Sequence, residues 1–237
     1  MNSKKFRHEI KYLCTEAELR QIQNRVKNLM QYDKHAGAKH VYRIRSVYFD
    51  HYDNRCYYEN ESGTEPREKF RIRIYNANFD VIKLELKRKE NGKVLKQSCS
   101  LSCEQCIQII HNRILPLKAE NSALLNKFIL QQQISGLKPK VIVEYDREPF
   151  IYKNGNVRVT FDRNIRSSNA VTDFFEERLH ARLILPNQRH VLEVKYDEFL
   201  PDFIYNSVQI PNLQQTAFSK YYLCRKYTIG GRENDIF

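Results

Sequence analysis

Glycine and proline are scarce in this chain, seven of each in 237 residues. With a hydrophobic share of 41% and 12% aromatics, that scarcity excludes a disordered chain and leaves enough apolar side chains for a core. Long hydrophobic runs are missing too. None approaches the roughly 18 residues that a membrane-spanning helix needs. The start, residues 1–6, is basic and runs straight into charged residues, unlike a secretory signal. The chain therefore reads as soluble and cytoplasmic. Its six cysteines are too few and too scattered for a disulfide framework. Cys99, Cys103 and Cys106 have a C-x3-C-x2-C spacing, but no His or Cys pair elsewhere completes a zinc set, so reduced structural thiols are expected. A G-x-x-x-x-G-K-[ST] loop is also absent, which excludes a P-loop nucleotide site.

What the chain has in excess is positive charge, a formal +12 at pH 7. Such a balance favours an anionic partner: nucleic acid, acidic lipid headgroups or a phosphorylated small molecule. Net charge does not choose among these; its distribution does.

Strands are predicted over 6–13, 41–50, 67–75, 81–89, 93–101, 138–151, 156–162 and 189–196, from β-branched and aromatic content and strict alternation. Asn91-Gly92 and Asn154-Gly155 mark tight turns between neighbouring strands. Thr15 reads as a helix N-cap with Glu18 at the capping-box position, opening a helix to about residue 30. A short helix is expected over 52–60, a helical stretch over 102–134 broken near Pro116, and a closing helix over 214–227. Residues 172–183 have mixed polarity and are open to a helical reading. No repeat, low-complexity tract or linker divides the chain, so one domain over 1–237 is expected.

The strands carry the functional signal. Arg7, Glu9 and Lys11 share one face; so do Lys69, Arg71 and Arg73, then Lys83, Glu85, Lys87 and Lys89. Arg158, Thr160 and Asp162 repeat the pattern, as do Glu193 and Lys195, each set opposed by apolar neighbours. For Arg43 and Arg45 the lumen face stays open, because Ser46, Tyr48 and Asp50 alternate with them. One such strand would be an ordinary solvated face. Five strands sharing a Lys/Arg-dominated face repel themselves unless a polyanion or interleaved carboxylates offset the charge. Curling the sheet into a barrel turns this face inward and leaves the apolar face for helices to cover. Arginine forks suit bidentate phosphate binding, and lysine adds compact charge. Glu9, Glu85, Asp162 and Glu193 fit as partners of those cations, or as carriers of Mg2+ or Mn2+. Aromatics are expected mainly in the core and on the barrel exterior, which gives no stacking platform for specific nucleic-acid binding.

Eight segments then match one family in order from about residue 5 to 225: RHEIKY (7–12), SVYFD (46–50), KFRIRIY (69–75), ELKRK (85–89), YDR (145–147), VRVTFD (157–162), LEVKY (192–196) and FSKY (218–221). The chain resembles the VTC-type polyphosphate polymerase domain of the triphosphate tunnel metalloenzyme (CYTH-like) superfamily. The resemblance implies an α+β fold: a closed eight-stranded antiparallel β-barrel with helices on its outside. It implies catalytic residues Lys11, Arg71, Arg73, Lys87, Arg158 and Lys195. Arg147 and Lys220 would bind substrate, joined by Lys96, whose strand register the sequence leaves open. It implies Glu193 as the metal ligand, with Glu9 leaning to the same task, and Mn2+ or Mg2+ as cofactor. ATP or another triphosphate would be the donor and polyphosphate the product. The eukaryotic relatives carry a phosphate-sensing SPX domain and membrane spans; neither is in this sequence, so membrane attachment is expected only through a partner subunit.

Where hydrolytic members of the superfamily open on E-x-E-x-K, this chain reads Arg7, Glu9, Lys11. Arg7 adds a substrate-binding charge at the tunnel mouth in place of a carboxylate, which favours transfer over hydrolysis. A triphosphate hydrolase of the same fold and a non-catalytic polyphosphate or nucleotide binder remain the alternatives.

Overall fold

The computed structural model describes residues 6–185, 189–211, 213 and 215–229. The basic N-terminal residues 1–5, the last residues of the expected domain and the expected start of the closing helix at Gln214 lie outside them.

Ten strands form one antiparallel sheet. In chain order they are β1 (His8–Cys14), β2 (Gln31–Tyr32), β3 (Tyr42–Asp50), β4 (Arg67–Tyr75), β5 (Asn78–Glu90), β6 (Lys93–Leu101), β7 (Lys138–Tyr152), β8 (Val157–Ser168), β9 (Arg182–Leu183) and β10 (His190–Tyr196). The order across the sheet is β1-β10-β8-β7-β3-β4-β5-β6, with β2 beside β7 and β9 beside β8. Among the described residues six α-helices accompany it: α1 (Glu16–Val26), α2 (Arg55–Glu61), α3 (Cys103–Ile110), α4 (Ala123–Ser135), α5 (Asp202–Ser207) and α6 (Lys220–Ile229).

Local chemistry explains most boundaries. Thr15 and Glu18 form the expected capping box, but α1 ends at Val26 rather than near residue 30. Asn91 and Gly92 turn β5 into β6 with both φ angles positive, and Asn76 and Ala77 do the same between β4 and β5. The second turn lets β5 begin at Asn78, three residues earlier than expected. Residues 172–183 form no α-helix; a 3-10 turn at Val171–Phe175 and the short β9 stand there.

The apolar side of the alternation faces outward against helices. Ile72, Leu84 and Val47 pack with Ile109 of α3 and Phe128 of α4. Val159, Phe161, Leu192 and Val194 pack with Leu19, Ile22 and Val26 of α1. Arg45 is on this outer side, fully buried, with Nε 2.7 Å from Glu144. That settles the register of β3: Tyr42, Ile44, Ser46 and Tyr48 face the concave side.

The sheet curls into an open half-barrel, which corrects the expectation of a closed eight-stranded barrel. Among the described residues its two edges meet at one bridge, just before β1, where Arg7 and Val94 exchange two backbone hydrogen bonds of 2.9 Å. Further along, the outer edge of β1 is already taken. Thr216 N donates to Lys11 O at 2.9 Å, and Gln215 bridges Tyr12. A strand edge has one set of outward donors and acceptors, so β6 cannot extend the ladder there. After this segment α6 enters the concave side, where Tyr221 and Cys224 bury beside Val141, Val143 and Ile165.

Candidate functional site

The half-barrel, the 215–219 segment and α6 enclose a cavity of about 930 Å³. Because side chains alternate along a strand, every second residue of the charged segments points into it. Arg7 enters from just before β1, Glu9 and Lys11 from β1, Arg71 and Arg73 from β4, Lys87 from β5 and Lys96 from β6. Arg147 comes from β7, Arg158 from β8, Glu193 and Lys195 from β10, and Lys220 from α6. All the predicted site residues are thus brought together.

Two networks of ion pairs hold this charge. In the first, Lys11 Nζ donates to Glu9 at 2.6 Å and Lys87 Nζ to the same carboxylate at 2.8 Å. Lys195 is 2.6 Å from Glu193, which Arg147 also reaches at 3.4 Å. Arg147 forks onto Asp162 at 2.6 and 2.7 Å, and Lys220 meets Asp162 at 2.7 Å. In the second, Glu85 accepts from Arg71 Nε and from Lys96 Nζ, both at 2.7 Å, with Arg73 at 3.7 Å. The carboxylates interleave with the cations, as like-charge repulsion requires.

Protonation follows from these contacts. Burial works against ionisation of Glu9, yet Lys87, Lys11 and Lys195 hold it well below the usual carboxylate range. Glu193 is likewise lowered despite burial, chiefly by Lys195. Glu85 and Asp162 are pulled down by the guanidinium groups of Arg71 and Arg147, again against burial. Burial opposes the charge of Lys11 as well, but Glu9 and Glu193 push it up to about 12. Lys87 goes the other way: burial, together with Lys11 and Lys195, brings it down to about 8. The carboxylates therefore stay ionised at neutral pH and cannot serve as proton donors there.

Three phenols face the cavity: Tyr42 and Tyr145, where aromatics were expected mainly in the core and exterior, and Tyr48, whose face the sequence left open. Tyr48 OH accepts from Arg71 at 2.9 Å, Tyr145 OH from Arg73 at 3.3 Å and Tyr42 OH from Arg158 at 2.8 Å. For Tyr42 and Tyr48 the missing information was the register of β3, set by Arg45 turning outward. Also missed was Phe218, whose carbonyl accepts from Lys11 Nζ at 2.9 Å. Arg7 reaches the mouth but is engaged there: it pairs with Asp197 at 2.9 Å and donates to the carbonyl of Asn156.

Among the described residues no group of three or more His, Cys, Asp or Glu side chains is gathered for a metal ion. Glu9 and Glu193 do come near each other, because Lys11 and Lys195 each lie within 3.9 Å of both. Two hard carboxylates suit Mg2+ or Mn2+ that take their other ligands from phosphate and water. The cysteines form no such centre; Cys106 is buried and Cys103 exposed. Among the described residues no helix is long and apolar enough to cross a membrane.

The curled antiparallel sheet with helices on its outer face is a fold shared with proteins of solved structure. A putative adenylyl cyclase from Hippeastrum, described as having a dominant triphosphatase activity, matches with TM-score 0.55 and 13% identity, over 94% of this chain and 96% of that one. A putative adenylate cyclase from Bacillus halodurans matches with TM-score 0.50 and 14% identity, over 86% of each chain. The chain belongs to the VTC domain family, whose model matches residues 6–229. No curated protein matches it significantly.

Proposed function

We propose that this chain is an ATP-dependent polyphosphate polymerase. The observation that carries the proposal is the cavity wall itself: Lys and Arg side chains from seven strands and α6 converge on one lumen, their charge only partly offset by carboxylates. A terminal phosphate oxygen of the growing chain attacks the γ-phosphorus of ATP, the bond to the β-phosphate oxygen breaks, and ADP leaves. Arg71 and Arg73 neutralise the transferred group, while Lys11, Lys87, Arg158 and Lys195 hold the phosphates in line. Arg7, Lys96, Arg147 and Lys220 bind the rest of the two substrates. Glu193, with Glu9, would hold Mn2+ or Mg2+, which when bound would withdraw charge from the phosphate oxygens. VTC family membership supports polyphosphate or triphosphate as the substrate class.

A triphosphate hydrolase is the second reading, favoured by two observations. The Hippeastrum neighbour is described as a triphosphatase, and Arg7, the cation expected to favour transfer, is engaged with Asp197. The test incubates the protein with ATP, Mn2+ or Mg2+ and a short polyphosphate primer, sizes the products on a gel and quantifies orthophosphate. Chains longer than the primer, with orthophosphate a minor product, are expected. Orthophosphate without chains at any metal or primer concentration hands the site to the hydrolase. Binding without turnover leaves a polyphosphate sensor.

A further inference from the structure

Lys69 stands apart from the other lysines of the lumen. Lys11, Lys87, Lys96, Lys195 and Lys220 each lie 2.6–2.8 Å from a carboxylate. Lys69 pairs with none among the described residues; its Nζ donates to Asn60 Oδ1 at 2.5 Å. Strand register sets it directly opposite Lys87, and Lys87 opposite Lys96, so three ammonium groups share one level of the wall. Arg67 lines the same cavity two residues away. The other groups facing Lys69 are Lys11 from β1, Cys56 and Glu59 around α2, and the ring of Tyr221, whose centre is 5.0 Å from Nζ. Tyr221 OH is spent on Asp50 and offers no counter-charge.

We propose that Lys69 is a further phosphate-binding residue, whose counter-ion is the phosphate chain itself, with Asn60 holding its amine in place until that chain arrives. The inference rests on the reading that the lumen takes triphosphate or polyphosphate. An ammonium without a carboxylate, half-buried among cations, gives up its proton readily. Burial first, then Arg67, Lys87 and Lys11, bring Lys69 down to about 7. A polyanion reverses the balance, so binding above that pH draws a proton from solution onto the amine. Part of the positive charge of the lumen is thus supplied only when substrate is present.

Calorimetric titration of inorganic triphosphate into the metal-free protein at pH 8, in two buffers of different ionisation enthalpy, reads both affinity and proton uptake. The wild type should bind with net uptake. Lys69→Met should bind on the order of tenfold more weakly, for the loss of one charge-assisted hydrogen bond, and with less uptake. Lys69→Arg, whose charge is permanent, should restore affinity but not uptake. Unchanged affinity and uptake in Lys69→Met overturn the proposal, as does a failure of Lys69→Arg to restore binding. If Lys69→Met does not fold, the wild-type and Lys69→Arg proton counts decide alone, and equal counts sink the idea. A wild type that binds no triphosphate removes the functional reading as well, so the two failures are distinguishable.

Discussion

Asp162 is fully buried at the base of the lumen and holds two cations there, Arg147 by a two-point fork and Lys220 by a single contact. Asp162→Asn removes their shared charge and leaves Arg147 only its longer contact to Glu193. Breaking one side of a buried pair costs on the order of 3–5 kcal/mol, and chemical denaturation should show a loss of that size. Glu193→Gln is predicted to keep the fold and most triphosphate affinity but to lose divalent-dependent turnover, because a neutral amide is a poor ligand for a hard cation. Unchanged Mn2+ dependence in that variant would move the metal to Glu9 or Glu85. Acid should act on all four carboxylates together. Glu9, Glu85, Asp162 and Glu193 have folded values below their ordinary ones of 4.5 or 3.8. The unfolded chain therefore binds protons first as pH falls, so stability is full above about 5 and declines as pH drops below it. A melting-temperature series from pH 7 to 3 should show that decline, and Lys69→Met should melt higher than wild type below about pH 10, since it removes a charge that folding disfavours.

At the scale of elements, legibility depended on whether a signal was local. The β4 and β6 ranges match expectation because alternation and the Asn91-Gly92 turn are properties of a few neighbouring residues. The expected closing helix was too long, since α6 begins at Lys220 and Gln215 and Thr216 lie extended along β1. That segment is polar and carries no periodicity to announce a strand edge as its partner. Gly155, between β7 and β8, shows how such a contact constrains a turn. It has a φ of +75°, and an added Cβ would meet the Phe199 carbonyl oxygen at 2.2 Å. Gly155→Ala should cost about 1–2 kcal/mol from the left-handed backbone and more from that collision. Because Asp197 N donates to Gly155 O and the Asp197 carboxylate holds Arg7, the shift should also loosen the tunnel mouth. Thermal unfolding checks the first effect; the affinity of Arg7-dependent triphosphate binding checks the second.

For the whole molecule, a +12 chain that gathers cations on one concave face is held together against its own charge. A ligand that binds only the folded form adds RT ln(1 + [L]/Kd), about 2.7 kcal/mol at a hundredfold excess over Kd. Inorganic triphosphate should therefore raise the melting temperature markedly, and more at low than at high ionic strength, because salt screens the open mouth before the enclosed wall. No shift with triphosphate at low salt would show that the wall does not bind phosphate chains.

The alternation of charged and apolar residues, readable at Arg71, Arg73, Lys87 and Arg158, sufficed to assign the sides of their strands, though not of β3, because side-chain direction in a strand is a property of one chain segment. The outward Arg45, the lumen phenols Tyr42, Tyr48 and Tyr145, and the open seam beside Arg7 depended on pairings between residues about 20 to 200 positions apart. Tertiary structure alone decided these. A strand edge can be satisfied by any segment with free backbone groups, and only packing selects which one reaches it.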